Sequence, residues 1–148
     1  MFLQSARLGL LLVPGLALAA GPARVRVGEQ GVQLQPGLYR TVFEQAAGGQ
    51  KPISETHQEC MTAEDLKTLG RGFLDADEVR CKISEHKKTD GKETFVATCT
   101  DEDGQRSRTT GELTGGGEAF RFVMTVAADG DPPVTMSWTG RWIGACRK

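Results

Sequence analysis

Val134-Thr135-Met136-Ser137-Trp138-Thr139-Gly140-Arg141-Trp142-Ile143-Gly144-Ala145-Cys146 alternates with period two. Val134, Met136, Trp138, Gly140 and Trp142 fall on one side of an extended chain, and Thr135, Ser137, Thr139 and Arg141 on the other. Alternation of this kind marks a β-strand with one buried face. A face carrying two indoles either anchors a core or stacks a ligand, and anchoring is the commoner use.

The stretch before it repeats the pattern. In Glu118–Val126, Phe120, Phe122, Met124 and Val126 share a face opposite Arg121, Val123 and Thr125. Phe120, Phe122, Met124, Trp138 and Trp142 are therefore the candidate apolar ligand face, on two adjacent strands. Further upstream, Gln105–Leu113 is a polar strand, with Gly115-Gly116-Gly117 as the turn that follows it. Arg80–Lys88 and Lys92–Thr100 predict a hairpin around a three-residue loop, Thr89-Asp90-Gly91. That register sets Lys88 opposite Lys92, Glu85 opposite Phe95, Ile83 opposite Ala97 and Cys81 opposite Cys99.

Leu38–Gln45 and the polar Ile53–Glu59 predict two strands around a glycine-containing turn at 46–52. Thr62 caps a short helix over Ala63–Leu69, with Glu64 and Asp65 near its positive end and Gly70 to close it. Two turns of helix persist only by packing, here through Leu66 and Leu69. Phe73 and Leu74, in an acidic connector, are expected to dock on the core. The sum is a mainly β chain. It reads as one antiparallel meander of five or six strands, curved or closed into a small barrel, with one short helix.

Met1–Arg7 carries one positive charge, an apolar run follows over 8–16, and Ala17-Leu18-Ala19 supplies small residues at a cleavage site. Residues 1–19 thus read as a signal peptide. Residues 20–36 read as a loose N-terminal arm, and 37–148 as a β domain. The apolar run is too short to span a bilayer, so no stable membrane span is expected after processing. A formal net charge of −1 with interspersed signs argues against a nucleic-acid partner. Four cysteines, Cys60, Cys81, Cys99 and Cys146, predict two disulfides in an exported chain, since no Cys-x-x-Cys suggests zinc.

Strand direction constrains the pairing. In a meander the hairpin returns Cys99 beside Cys81, whereas Cys146 finishes at the opposite end of the sheet, further from Cys99 than a bridge can reach. If the first strand closes antiparallel against the last, Cys60 arrives beside Cys146. The expected bridges are Cys81–Cys99 and Cys60–Cys146, with Cys60–Cys81 plus Cys99–Cys146 as the rival.

Several phrases together resemble a family of exported bacterial proteins known as domain of unknown function 3617. They are Pro36-Gly37-Leu38-Tyr39, Cys60-Met61-Thr62-Ala63-Glu64-Asp65, the hairpin cysteines, Thr110-Gly111-Glu112, and Gly140-Arg141-Trp142-Ile143-Gly144-Ala145-Cys146. Tyr39 stands where the family pattern would place tryptophan. The resemblance implies a Gram-negative periplasmic setting and no established activity.

Motifs for catalysis are sparse. There is no Gly-x-Ser-x-Gly elbow and no phosphate-binding glycine loop after a strand. Glu112 and Glu118 are the carboxylates an envelope hydrolase would use, but they flank a turn. His57 and His86 read as surface histidines, and 101–104 as a solvated acidic turn too short for an EF-hand. Arg106, Arg108 and Arg121 alternate toward an outer face, where pairing with acids is the plainer account. No cofactor or metal is called for. The chain reads as a non-enzymatic binding or structural module of the cell envelope, for an apolar ligand or an envelope protein. The alternatives are a carboxylate hydrolase and an inhibitor of a secreted hydrolase.

The leader reading has a direct check. Intact mass of the protein recovered from its native host should fit a chain beginning at Ala20, and a chain still beginning at Met1 would overturn it.

Overall fold

The computed structural model describes residues 31–69, 74 and 80–147. The expected signal segment, residues 20–30 of the expected arm, Phe73 and Gly70 lie outside the described residues. The strands are β1 (Gly37–Ala47), β2 (Ile53–Met61), β3 (Arg80–Thr89), β4 (Lys92–Thr100), β5 (Arg106–Gly116), β6 (Ala119–Ala128) and β7 (Val134–Gly144). They form one antiparallel sheet in the order β2-β1-β7-β6-β5-β4-β3. There are seven strands rather than five or six, because the two polar strands β2 and β3 both pair along their length.

The meander runs unbroken from β3 to β7, and β7 then takes β1 as its outer neighbour. This is the antiparallel junction of first and last strands on which the disulfide argument turned. The sheet does not close into a barrel. An antiparallel sheet with an odd number of strands has edges running the same way, so β2 and β3 would have to meet in parallel. They remain edges, exposed along most of both faces.

One end of the sheet, here the head, carries Gly37, Met61, Lys92, Gly116, Ala119 and Gly144; the other, the foot, carries Ala47, Ile53, Arg80, Thr100, Arg106, Ala128 and Val134. Period two places Tyr39, Phe95, Ala97, Leu113, Phe120, Phe122 and Met124 on the concave face, where all are buried. Rings interlock across strands. Phe120 meets Trp138 edge-on at 5.6 Å and Tyr39 at 5.8 Å, while Phe95 stacks near Phe122 at 6.3 Å.

Two glycines make this packing possible. Phe95 sits opposite Gly111, and Phe120 opposite Gly140. A Cβ on either glycine would lie 2.1 Å from the facing ring. Each ring thus lies over the bare backbone of the next strand, which is why Gly140 interrupts the large residues on the β7 face.

The helix α1 (Ala63–Thr68) follows β2 at the head. Thr62 caps it by accepting from Asp65 N at 3.2 Å, and Asp65 Oδ2 accepts in return from Thr62 N at 2.7 Å. Hydrogen bonds from the Thr62 hydroxyl and then its backbone hold the Asp65 carboxyl below its usual range. Leu66 packs against the core, and Leu69 and Leu74 are buried in it.

Residues 31–36 show no sequence pattern, yet they are tied down. Leu34 bridges Gly117, Gln35 N donates to Gly117 O at 2.8 Å, and Gly117 N donates to Gln33 O at 2.8 Å. Glu93 Oε1 accepts from Val32 N at 3.3 Å, and its other oxygen lies 3.3 Å from His86 Nε2 and 3.6 Å from Lys88 Nζ. The Tyr39 hydroxyl donates to Gln35 O at 2.6 Å, and the Trp142 indole donates to Pro36 O at 3.2 Å. The arm thereby seals the head.

The β3–β4 register corrects the hairpin reading. The loop has two residues, Asp90-Gly91, so Thr89 faces Lys92, Lys88 faces Glu93 and His86 faces Phe95. A bulge between Ile83 and Glu85 absorbs the extra residue, and Ile83 still faces Ala97 and Cys81 still faces Cys99. The bridges are Cys81–Cys99 and Cys60–Cys146.

Gly140→Ala should cost about 1–3 kcal/mol by driving a methyl into the Phe120 ring; urea denaturation measures it, and a change within noise would contradict the ring-over-backbone contact. Burial, and secondarily the charge of Glu118, push the Tyr39 phenol above its usual range. A raised value in the folded state means that its stabilising contribution is full below about pH 10 and is lost as pH rises further. Tyr39 is the sole tyrosine. Its phenolate absorbance should therefore appear at higher pH in the folded than in the urea-unfolded chain, and Tyr39→Phe should soften the alkaline loss of stability.

Candidate functional site

The residues singled out as an apolar face do share one surface, but most of that surface is core. Phe120, Phe122 and Met124 are buried, while Trp138 and Trp142 are half-buried beside them. Interlocked rings leave little room at the head. Toward the foot the large side chains run out. Val126 and Ala128 continue the β6 face, and Ser107 and Thr109 continue that of β5.

These short side chains leave a cavity of about 280 Å³, lined by Leu74, the Cys81–Cys99 bridge, Asp101, Gln105, Ser107, Thr109, Met124, Val126 and Ala128. Its wall is mainly apolar, and it opens on one side. The Cys99 sulfur lies 3.6 Å from the Thr109 hydroxyl, both buried in the wall. Polar atoms gather at one margin. Asp101 Oδ1 accepts from Gln105 N at 2.8 Å, and Gln105 Nε2 donates to Asp131 Oδ2 at 3.3 Å. The turns at 101–104 and 129–131 are thereby joined beside the opening.

Of the sequence-derived face, Met124 alone lines this cavity. Val126 carried the same period-two signal, and Leu74 docks as expected. Gln105, Ser107 and Thr109 gave no signal, because small polar residues on a strand read as solvent-facing. Two other depressions are larger and have more polar walls. A groove of about 460 Å³ at the head lies between the arm, α1 and the pair Lys88 and Glu93. The other, about 420 Å³, crosses the convex face over Val96, Thr110, Glu112, Arg121 and Val123.

The carboxylates considered for hydrolysis lie on neither wall of the cavity. Glu112 is on the convex face, bonded to Lys92 Nζ at 2.8 Å, and Glu118 is in the exposed turn at the head. His57 contacts Glu55 at 3.2 Å on the exposed β2 edge, while His86 belongs to the Glu93 cluster. Among the described residues, no group of three or more His, Cys, Asp or Glu could hold a metal ion, and no helix is long and apolar enough to cross a membrane. The two disulfides fit an oxidising compartment outside the cytoplasm.

A family model described as "Protein of unknown function (DUF3617)" matches residues 34–146. The match runs from the arm residue that bridges Gly117 to the last cysteine, and the chain belongs to that family. No curated protein and no solved structure matches it.

Proposed function

We propose that this member of the DUF3617 family is an exported, non-enzymatic binding module of the Gram-negative cell envelope, and that an apolar ligand occupies the foot cavity. The carrying observation is the cavity itself. It is concave, mainly apolar and set in the sheet, with a few polar groups at one margin, which is the usual make-up of a small-molecule site. Its volume lies near the lower end for such sites and suits one short chain or a single ring.

Export rests on the signal-like N-terminus together with the disulfides. A reducing cytoplasm would leave the four thiols open, removing about 3 kcal/mol of chain-entropy stabilisation at Cys81–Cys99 and about 4 kcal/mol at Cys60–Cys146. The domain that binds is the β unit from residue 37 onward with residues 31–36 sealed across its head. Nothing in this reading requires a cofactor. An envelope protein as partner is the second member of the same reading, through the exposed β2 edge, where both backbone and side chains face solvent.

Titration of the oxidised protein with 1-octanol, followed through the methyl resonances of Met124 and Val126, tests the ligand reading. Saturable shifts confined to the foot are expected. Ala128→Leu, which adds bulk to the cavity wall, should weaken binding at least fivefold. Shifts that never saturate, or that are the same in the variant, would overturn the assignment.

A further inference from the structure

The cavity margin has a sign. Asp101 lines it directly, and Gln105, also lining it, holds the Asp131 carboxylate at 3.3 Å. The Asp101 carboxylate is fixed rather than free to swing, because its Oδ1 accepts from Gln105 N while Asp101 N donates to Gln105 O. Among the described residues, no Lys, Arg or His lines the cavity. Arg80, Lys82, Arg106 and Arg108 flank lining residues in the sequence, and the pleat turns all four away. Cys81, Ser107 and Thr109 point into the cavity, so these four, each one residue removed, lie on the convex face, exposed. An apolar wall with carboxylates at its margin, and no basic side chain there among the described residues, repels an acyl carboxylate and attracts a cation.

We propose that the foot cavity selects small amphiphiles whose apolar body ends in an ammonium-type cation, with Asp101 as the counter-charge. This deepens the binding reading above and rests on it. The apolar tail lies against Met124, Val126, Ala128 and the Cys81–Cys99 bridge, and the cationic end remains at the margin beside Asp101, with the Asp131 charge behind it. A site of about 280 Å³ admits one short chain, so the ligand is a free single-chain amine rather than a two-chain lipid. The ammonium keeps much of its hydration at the opening, so its added affinity is that of a partly exposed ion pair and not of a buried one.

The test compares three probes of equal chain length on the oxidised protein at neutral pH and low salt: octyltrimethylammonium, 1-octanol and octanoate. Calorimetry should rank the ammonium tightest and octanoate weakest, with roughly a three- to fivefold advantage of ammonium over alcohol. The advantage should shrink in high salt. Asp101→Asn keeps an oxygen for Gln105 N, and it should bring the ratio of ammonium to alcohol affinity toward one. Asp131→Asn should lower the same ratio by less. Because the readout is a ratio within one variant, a general loosening of the site does not mimic the effect. Octanoate binding as tightly as the ammonium, or a ratio unmoved by Asp101→Asn, overturns the selectivity while leaving the apolar site standing. Failure of all three probes overturns both.

Discussion

Pairing of β1 with β7 is the constraint on which the rest depends. It joins residues from opposite ends of the β domain, and without it the β1–β2 hairpin would lose its hydrogen-bonded place in the sheet. Such a contact forms only after most of the chain has been ordered, so its closure entropy is large. Cys60–Cys146 offsets part of that cost. Cys60 faces Leu38 of β1 on one side, and Gly144 of β7 faces Leu38 on the other, so the bridge straps across β1 and ties its two neighbours together. The same seam carries the interlocked set Tyr39, Phe120, Gly140 and Trp142. Covalent closure and ring packing therefore support one junction.

That junction also decides why the sheet stays open. Adding β1 and β2 to a five-strand meander keeps every neighbour antiparallel and leaves the total odd, so the free edges run in the same direction. The edges are not equivalent. β3 carries Arg80, Lys82, Lys87 and Lys88 with a bulge at its middle, features that discourage another strand from pairing there. β2 has neither lysine nor bulge, and Glu55 and Glu59 supply its charge. Edge protection is thus strong on one side of the molecule and weak on the other.

Faces were more legible in the sequence than ends. Period two placed Phe120, Phe122, Met124 and the tryptophans on one surface because that signal depends only on the pleat. The hairpin is more instructive. A three-residue loop and a regular ladder were expected, whereas the chain makes a two-residue loop and a bulge. The differences cancel below Ile83, so Cys81 meets Cys99 under either description. Bulges have no dependable signature in one sequence, and here the disulfide was the firmer guide to register. The arm was expected to be loose, and the order of residues 31–36 was missed for another reason. Its order comes from Gly117, Glu93 and Tyr39, all distant in sequence, and its own residues show no period.

The position of the cavity follows from a gradient in side-chain size along the concave face. From head to foot, β6 presents Phe120, Phe122, Met124, Val126 and Ala128, while β5 presents Leu113, Gly111, Thr109 and Ser107. β6 tapers steadily, β5 carries only the small residues Gly111, Thr109 and Ser107 beyond Leu113, and β4, the neighbour of β5, ends in Ala97 and Cys99. At the head the bulky ends meet, and the arm caps them with hydrogen bonds to Tyr39, Trp142 and Glu93. At the foot no segment of comparable bulk among the described residues compensates for this; Leu74 and the disulfide fill part of the space and leave the remainder. A core designed for density alone would avoid such a void, since each unfilled volume forgoes dispersion contacts. Here the void coincides with the ordered turn that fixes Asp101. The taper and the fixed carboxylate come from different strands and turns, so a single packing defect would not produce both. Their coincidence is the physical ground for treating the foot as a site.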